Sequence, residues 1–272
     1  MGLYFSAFCL KLHHQIEFMS INRAFTYMEI GQYEKAITDF SEVIKHKPKK
    51  SIFISFRGIA YFNNGQFNEA LKDYSEAIEL DSFDLEDIGY NPEMYCDRRI
   101  TYIHRGILYI KTDQYEKAID DFTIAIKLKE NDPVAYYERG CTYLHGIENV
   151  DQAIVDFNKV IQLDADNVYA YLKRGITYFR KKEYDRALLD FNKGIQLDPN
   201  NVELYLTRGM MYQDIENLDK AIADFSAAIH LAPNDEVLYA LRSNTYRQNG
   251  DFNKAISDYN KLIQLNPNYG DV

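Results

Sequence analysis

The sequence predicts an all-α protein built as a row of antiparallel helix pairs. One pattern of 34 residues recurs through most of the 272-residue chain. Within each copy, aromatic and small residues recur at spacings of three and four, which places them on one face of a helix. Proline, which breaks helices, occurs only 6 times. Together these observations favour two helices and a short polar turn in every copy.

Seven copies of the pattern follow one another along the chain. The fourth copy has one additional residue, in its turn near residues 145–149, and each of the others has 34. We place the copies at 17–50, 51–84, 99–132, 133–167, 168–201, 202–235 and 236–269. A single copy cannot bury its own apolar face, so the copies are expected to stack on one another.

Two positions of the first helix are the clearest markers of the repeat. The eleventh residue is tyrosine in every copy. The eighth is small, and the series reads Ala24, Gly58, Gly106, Gly140, Gly175, Gly209 and Ser243. In the second helix an alanine precedes an aromatic residue by four positions in each copy. Small residues let two helices approach closely, and the rings fill the space that remains between them.

This pattern resembles the tetratricopeptide repeat family, a helix–turn–helix of 34 residues with small and aromatic residues at these positions. The resemblance covers about nine-tenths of the chain. It implies a right-handed superhelical α-solenoid of antiparallel helix pairs. It also implies a concave groove that is lined by the first helix of each pair and binds proteins or peptides.

Three stretches lie outside the repeats. Residues 1–16 are apolar and are expected to form a partial helix on the first repeat. The alternative is lipidation, because Gly2 and Ser6 match a myristoylation pattern, with Cys9 nearby. Residues 85–98 form an insertion, in which Pro92 is expected to start an extended first helix of the third repeat after a loop at 84–90.

The third stretch is a tail at 270–272, with no polar helix to cover the last repeat. Repeat arrays normally have such a capping helix. We expect either that another molecule covers this end or that the chain is part of a longer protein.

An arginine and an aspartate recur in every copy. The arginines are at the seventh position, where the resemblance leads us to expect an aliphatic residue, and each is 16 or 17 residues before its aspartate. The pairs are Arg23 and Asp39, Arg57 and Asp73, Arg105 and Asp121, Arg139 and Asp156, Arg174 and Asp190, Arg208 and Asp224, and Arg242 and Asp258. We interpret them as structural ion pairs along the helix-packing seam, within a repeat or to the next one. The alternative, arginines that bind anions in the groove, is disfavoured because the aspartates would neutralise them.

The resemblance places positions 2, 5, 9 and 12 of each first helix in the groove, and here these positions are mostly apolar. The candidate binding residues are Phe25, Phe62, Ile103, Ile107, Ile110, Tyr137, Tyr169, Leu172, Ile176 and Phe179. One interpretation is a groove for an apolar or amphipathic helix. The others are that neighbouring first helices bury these side chains against each other, or that residues 3–12 occupy the groove.

Several partner classes are disfavoured. The net charge of −10 disfavours nucleic acids. The lysine and asparagine that family members use at positions 5 and 9 to clamp chaperone C-termini are absent, as in the pair Ser55 and Ile59. No long apolar run predicts a membrane span, so membrane association is expected only through N-terminal lipidation.

No motif predicts catalysis, a metal site or a cofactor. The six histidines lack metal-ligand spacing, and there is no phosphate-binding loop or nucleophile elbow. Three widely spaced cysteines favour a reducing, cytoplasmic location. The predicted function is a non-catalytic protein–protein interaction scaffold. The alternatives are a self-assembling module that stacks through its C-terminal face and the targeting domain of a longer enzyme.

Overall fold

The computed structural model describes residues 18–81 and 98–265, and all regular structure in these ranges is α-helical. The prediction of an all-α helical repeat solenoid is therefore confirmed. Three expectations fall outside the described residues: the partial helix within 1–16, the helix start at Pro92, and the tail at 270–272.

The chain divides into two compact units, Met1–Ile147 and Glu148–Val272. The described helices of the first unit are α1 (18–29), α2 (Tyr33–His46), α3 (Ser51–Asn63), α4 (Phe67–Asp81), α5 (Arg98–Lys111), α6 (Tyr115–Leu128) and α7 (Pro133–His145). Those of the second unit are α8 (Val150–Leu163), α9 (Val168–Arg180), α10 (Tyr184–Leu197), α11 (Val202–Asp214), α12 (Leu218–Leu231), α13 (Glu236–Gln248) and α14 (Phe252–Leu265).

The small residue at the eighth position explains the close approach of paired helices. A methyl group built on Gly175 would lie 2.7 Å from the ring of Phe191, which is fully buried on α10. The same contact recurs in the first unit, where Gly106 of α5 faces Phe122 of α6. In both units, a first helix with glycine at this position therefore packs its backbone directly on the aromatic ring of its second helix.

Side chains of the connecting turns fix where the helices begin. Asp132 and Asn167 cap α7 and α9, where their side-chain oxygens accept hydrogen bonds from backbone N–H groups of the first turn. The turns within repeats are three residues long, except that four residues separate α7 from α8. In the three-residue turn after α3, Gly65 adopts a φ of 77°, in the left-handed region that favours glycine.

Candidate functional site

The recurring arginine and aspartate meet across the two helices of one repeat. Arg174 of α9 donates from Nε to Oδ2 of Asp190 at 2.8 Å and from Nη2 to Oδ1 at 2.6 Å. The same two-pronged geometry joins Arg23 to Asp39, Arg57 to Asp73, Arg105 to Asp121, Arg208 to Asp224 and Arg242 to Asp258. We call this series the arginine–aspartate ladder. Its aspartates are buried, so loss of one arginine would leave a buried charge.

The two residues of the seventh predicted pair belong to different units. Arg139 belongs to the first unit and Asp156 to the second. Its pairing stays a prediction. Arg139 does donate from Nη1 to Oγ1 of Thr123, which lies on α6 of its own unit.

That hydrogen bond is one example of a second contact the sequence analysis did not anticipate. The third guanidinium nitrogen, Nη1, reaches the second helix of the preceding repeat. Arg174 donates to Oδ1 of Asn158 at 2.6 Å, and Arg242 donates to Oγ of Ser226 at 2.9 Å. Arg57, Arg105 and Arg208 make the same bond to Ser41, Ser75 and Asn192. Arg57, Arg105, Arg174, Arg208 and Arg242 thus each join the two helices of their own repeat and link that repeat to the one before.

A sequence signal for this link exists. The residue two places after the recurring aspartate is Ser, Thr or Asn in all seven copies: Ser41, Ser75, Thr123, Asn158, Asn192, Ser226 and Asn260. These side chains all carry an oxygen that accepts a hydrogen bond. The bond from Arg105 to Ser75 spans residues 85–98, so the third repeat packs on the second in the ordinary register despite the insertion.

Tyrosines cover the arginines on both sides. The guanidinium carbon of Arg105 lies 5.5 Å from the ring centre of Tyr102 and 5.8 Å from that of Tyr109. Arg174 and Arg242 have equivalent tyrosines three residues before and four residues after them. At this distance a cation is attracted to the face of an aromatic ring. The tyrosine at the eleventh position therefore shields the ladder as well as filling space.

Burial and pairing shift the pKa values of the ladder residues in opposite directions. Burial raises the pKa of Asp190 above its ordinary value, and the hydrogen bonds from Arg174 oppose that rise. The pKa of Asp121 is raised for the same reason, against the effect of Arg105. Hydrogen bonding to Asp73 in turn raises the pKa of Arg57, which burial opposes. In the six resolved pairs the aspartate occupies two of the three guanidinium nitrogens, which disfavours these arginines as a site for anions.

The candidate binding residues of the first unit lie on first helices that contact one another, since α5 packs against both α3 and α7. Five of them are half-buried: Phe25, Phe62, Ile107, Ile110 and Tyr137. Phe25 packs edge-on against the ring of Phe56, and Ile107 and Ile110 pack against the core around Phe122. Each keeps part of its apolar surface accessible. We call the accessible side of α1, α3, α5 and α7 the first-helix surface of this unit.

The second unit has a corresponding surface on α9 and α11, which contact each other. Tyr169 is largely exposed, whereas Ile176 and Phe179 are half-buried against the core that contains Phe191 and Phe225. Two residues outside the predicted set, Val134 in the first unit and Val237 in the second, are also largely exposed. Both stand at the second position of a first helix, as Tyr169 does.

Ile103 and Leu172 differ from the expectation that they line an open groove. Both stand at the fifth position of a first helix, and both are buried. Ile103 packs in the core with Phe122, and Leu172 packs in the core with Phe191. In these two repeats the fifth residue faces the neighbouring helices, whereas Tyr137, at the same position of α7, is half-buried. These two residues are therefore assigned to the core.

The described ranges offer neither a metal site nor a membrane-spanning helix. Residues 18–81 and 98–265 hold no group of three or more His, Cys, Asp or Glu side chains arranged to bind a metal ion. Within the same ranges, no helix is both long and apolar enough to cross a membrane.

Family models identify the repeat. Models described as tetratricopeptide repeat or TPR repeat match residues 19–50, 55–84, 101–132, 148–182, 175–245 and 237–269. The chain therefore belongs to the tetratricopeptide repeat family, whose members act as protein–protein interaction scaffolds. No curated protein sequence matches the chain.

Solved structures of the same fold span most of the chain. The C-terminal part of a TPR repeat-containing protein from Cytophaga hutchinsonii is 20% identical, with a TM-score of 0.69, over 92% of this chain and 97% of that one. A tetratricopeptide repeat protein from Parabacteroides merdae is 21% identical, with a TM-score of 0.68, over 93% and 94%. YrrB, described as a TPR protein with an unusual peptide-binding site, is 22% identical, with a TM-score of 0.57, over 73% and 94%.

Proposed function

We propose that the protein is a non-catalytic scaffold whose first-helix surfaces bind an apolar or amphipathic helix of a partner protein. The observation that carries this proposal is the row of half-buried apolar side chains on contacting first helices. In the first unit this row includes Phe62, Ile107, Ile110 and Tyr137. Side chains that are held by the core but accessible on one side present a fixed apolar surface at little further entropy cost.

The exposed residues at the second position support the same proposal. Val134 lies on α7 of the first unit and Tyr169 on α9 of the second, so a partner helix on either unit would meet an exposed apolar side chain beside the half-buried ones. An amphipathic helix presents such a stripe through residues at i, i+3, i+4 and i+7. YrrB is described as binding a peptide, and its shared fold makes it a suitable precedent.

The charge of the chain favours one kind of partner. With a formal net charge of −10, the protein attracts partners whose polar face is basic and repels acidic ones. We therefore propose an amphipathic helix with leucine-like residues on one face and lysine or arginine on the other. A reducing, cytoplasmic setting fits this role.

A designed peptide tests the proposal. The probe is a fluorescent helical peptide with leucine at i, i+3, i+4 and i+7 and lysine elsewhere, and anisotropy measures its binding to the full chain. The control peptide has the same composition with the leucines distributed around the helix. We expect the amphipathic peptide to bind at least tenfold more tightly, a difference of about 1.4 kcal/mol. Equal binding of the two peptides would contradict the proposal.

Substitutions locate the binding surface. Val134→Asp places a charge on the first-helix surface of the first unit. It should lower the affinity for the peptide by about tenfold or more, because the carboxylate must be desolvated when the peptide binds. The matched control is Leu189→Asp, at a residue of α10 that is even more exposed but lies on a second helix. If both variants bind the peptide like the parent protein, the first unit's surface is not the binding site, and Tyr169→Asp tests the surface of the second unit in the same way.

Self-association through α14, the last described helix, is a second candidate function. It is favoured by one specific observation, the exposure of Ile256 and Ile263 on α14. This function is independent of the first-helix surface, so either proposal can fail without the other.

A further inference from the structure

The last described helix, α14, presents a face that is covered in the third and sixth repeats. Ile263 of α14 is 57% exposed, whereas Ile126 and Ile229, at the same position of α6 and α12, are only 8% exposed. In those repeats the next first helix covers the isoleucine: Ile229, for example, packs in a core cluster with Leu238 and Tyr239 of α13. We call the side of α14 that carries Ile256, Asn260 and Ile263 the tail face.

The first helix presents the complementary face. Met19 of α1 is 69% exposed, whereas Leu204 and Leu238, at the same position of α11 and α13, are fully buried. The side chain of Arg23 is 60% exposed, against 17–19% for the five other ladder arginines paired with aspartate. We call the side of α1 that carries Met19 and Arg23 the head face.

The two faces also carry the two halves of one hydrogen bond. Six arginines donate from Nη1 to the Ser, Thr or Asn that follows the aspartate of the preceding repeat by two residues. Arg23 has no such acceptor among the described residues, because α1 is the first helix that the structure describes. Asn260 stands at the acceptor position of α14, and no described residue donates a hydrogen bond to its side chain. Asn158 and Asn192 show that asparagine serves as this acceptor inside the array.

We propose that copies of this chain associate head to tail, with the tail face of one copy packed on the head face of the next. Arg23 Nη1 of one copy donates to Asn260 Oδ1 of the other, and Met19 covers Ile263. This inference rests on self-association, the second candidate function, and adds its geometry and residues. The interface reproduces the contact that each repeat makes with the one before it.

A second copy is the favoured occupant because this chain itself carries both halves of a contact that recurs inside each unit. A head-to-tail contact uses different surfaces on the two copies, so it does not end at a dimer unless a ring closes. The competing geometry joins two tail faces symmetrically, and that arrangement ends at two copies and leaves the head face free.

Sedimentation of the full chain over a broad concentration range tests the inference. We expect the mass to rise past that of a dimer. Met19→Asp blocks the head face and Ile263→Asp blocks the tail face, so each variant alone should be monomeric. A mixture of the two variants has one intact face of each kind and should form dimers that grow no further. Both substitutions are at exposed residues, and circular dichroism checks that the variants stay helical.

Each contrary outcome has a distinct meaning. If Met19→Asp still dimerises and Ile263→Asp does not, the contact joins two tail faces and the head-to-tail inference is wrong. If the parent chain is monomeric at every concentration, self-association fails as well, while peptide binding at the first-helix surface is unaffected.

The hydrogen bond has its own test. Asn260→Ala should weaken association by about tenfold, since the lost bond has a charged donor. The matched control, Asn253→Ala, changes an exposed asparagine in the first turn of the same helix and should leave association unchanged. Equal association by both variants would show that Arg23 and Asn260 do not form a hydrogen bond in the interface.

Discussion

Arg174 and Asp190 form two parallel hydrogen bonds between the two helices of one repeat, at 2.8 and 2.6 Å. The carboxylate is buried, and the guanidinium is covered by Tyr171 and Tyr178. The pair recurs in both units, so its energetics decide how the repeats hold together.

Removal of one partner of this pair should be strongly destabilising. Arg174→Met leaves Asp190 as an uncompensated buried charge, and we expect the free energy of unfolding to fall by about 3–5 kcal/mol. The double variant Arg174→Met with Asp190→Leu should recover most of that loss, because neither charge then has to be desolvated. Urea unfolding of the parent, single and double variants measures the coupling. Additive losses would show that the pair does not act as a unit.

The hydrogen bond from Arg174 to the preceding repeat should contribute less to stability than the pair with Asp190. Asn158→Ala removes the acceptor for Arg174 Nη1, and we expect a loss of about 1 kcal/mol, because the contact is solvent-exposed and water can replace the amide. Gln196→Ala, at an exposed residue of α10, serves as the control and should change stability by less than about 0.5 kcal/mol. A loss from Asn158→Ala that persists in the Arg174→Met background would mean that the asparagine acts in some other way.

Two glycine substitutions should destabilise the protein by different amounts and for different reasons. Gly106→Ala places a methyl group 2.7 Å from the buried ring of Phe122, and we expect a loss of about 1–3 kcal/mol from overpacking. Gly65→Ala meets no atom within 4 Å, so only its positive φ opposes the change, at a cost of about 1 kcal/mol. Unfolding of both variants by urea provides the comparison, and a larger loss for Gly65→Ala would contradict this account of the helix contact.

One histidine should make stability depend on pH. His104 donates from Nδ1 to the carbonyl of Ile100 and lies beside the ring of Tyr74, and burial lowers its pKa below the ordinary value. A lowered pKa means that the unfolded chain binds the proton first. His104 therefore stabilises the fold above the ordinary histidine pKa of about 6.5, and that stability is lost as pH falls.

The expected loss is about 1.4 kcal/mol for each unit by which the pKa is lowered. His104→Phe should remove this part of the pH dependence between pH 7 and pH 5, and phenylalanine fits because Phe56 holds the same position in the second repeat. His230→Gln, at an exposed residue, is the control. Parallel stability curves for the parent and His104→Phe would show that His104 does not titrate in this range.

The fold could be predicted from the sequence because the repeat supplies the same evidence seven times. Tyrosine at every eleventh position and a small residue at every eighth identify both helices and their contact. The link from Arg174 to Asn158 was missed, although its acceptor position is Ser, Thr or Asn in every copy. That signal is weak alone because these residues are also common on exposed helix faces.

The candidate site was harder to predict because position in a repeat does not fix exposure. Leu172 and Tyr137 stand at the same fifth position of a first helix, yet Leu172 is fully buried and Tyr137 is half-buried. How far an apolar residue at this position faces solvent depends on how closely the adjacent first helices approach. That distance is set by packing, for which this sequence offers no separate signal.

Hydrogen exchange of the full chain with and without the amphipathic peptide tests the central claim most directly. We expect slower exchange in α5 and α7, or in α9 and α11, because a bound helix covers the first-helix surface and stabilises the helices beneath it. Exchange in the first turns of the second helices α6 and α10 should change less. Protection that is greatest in α6 and α10, or absent throughout at saturating peptide, would contradict the account.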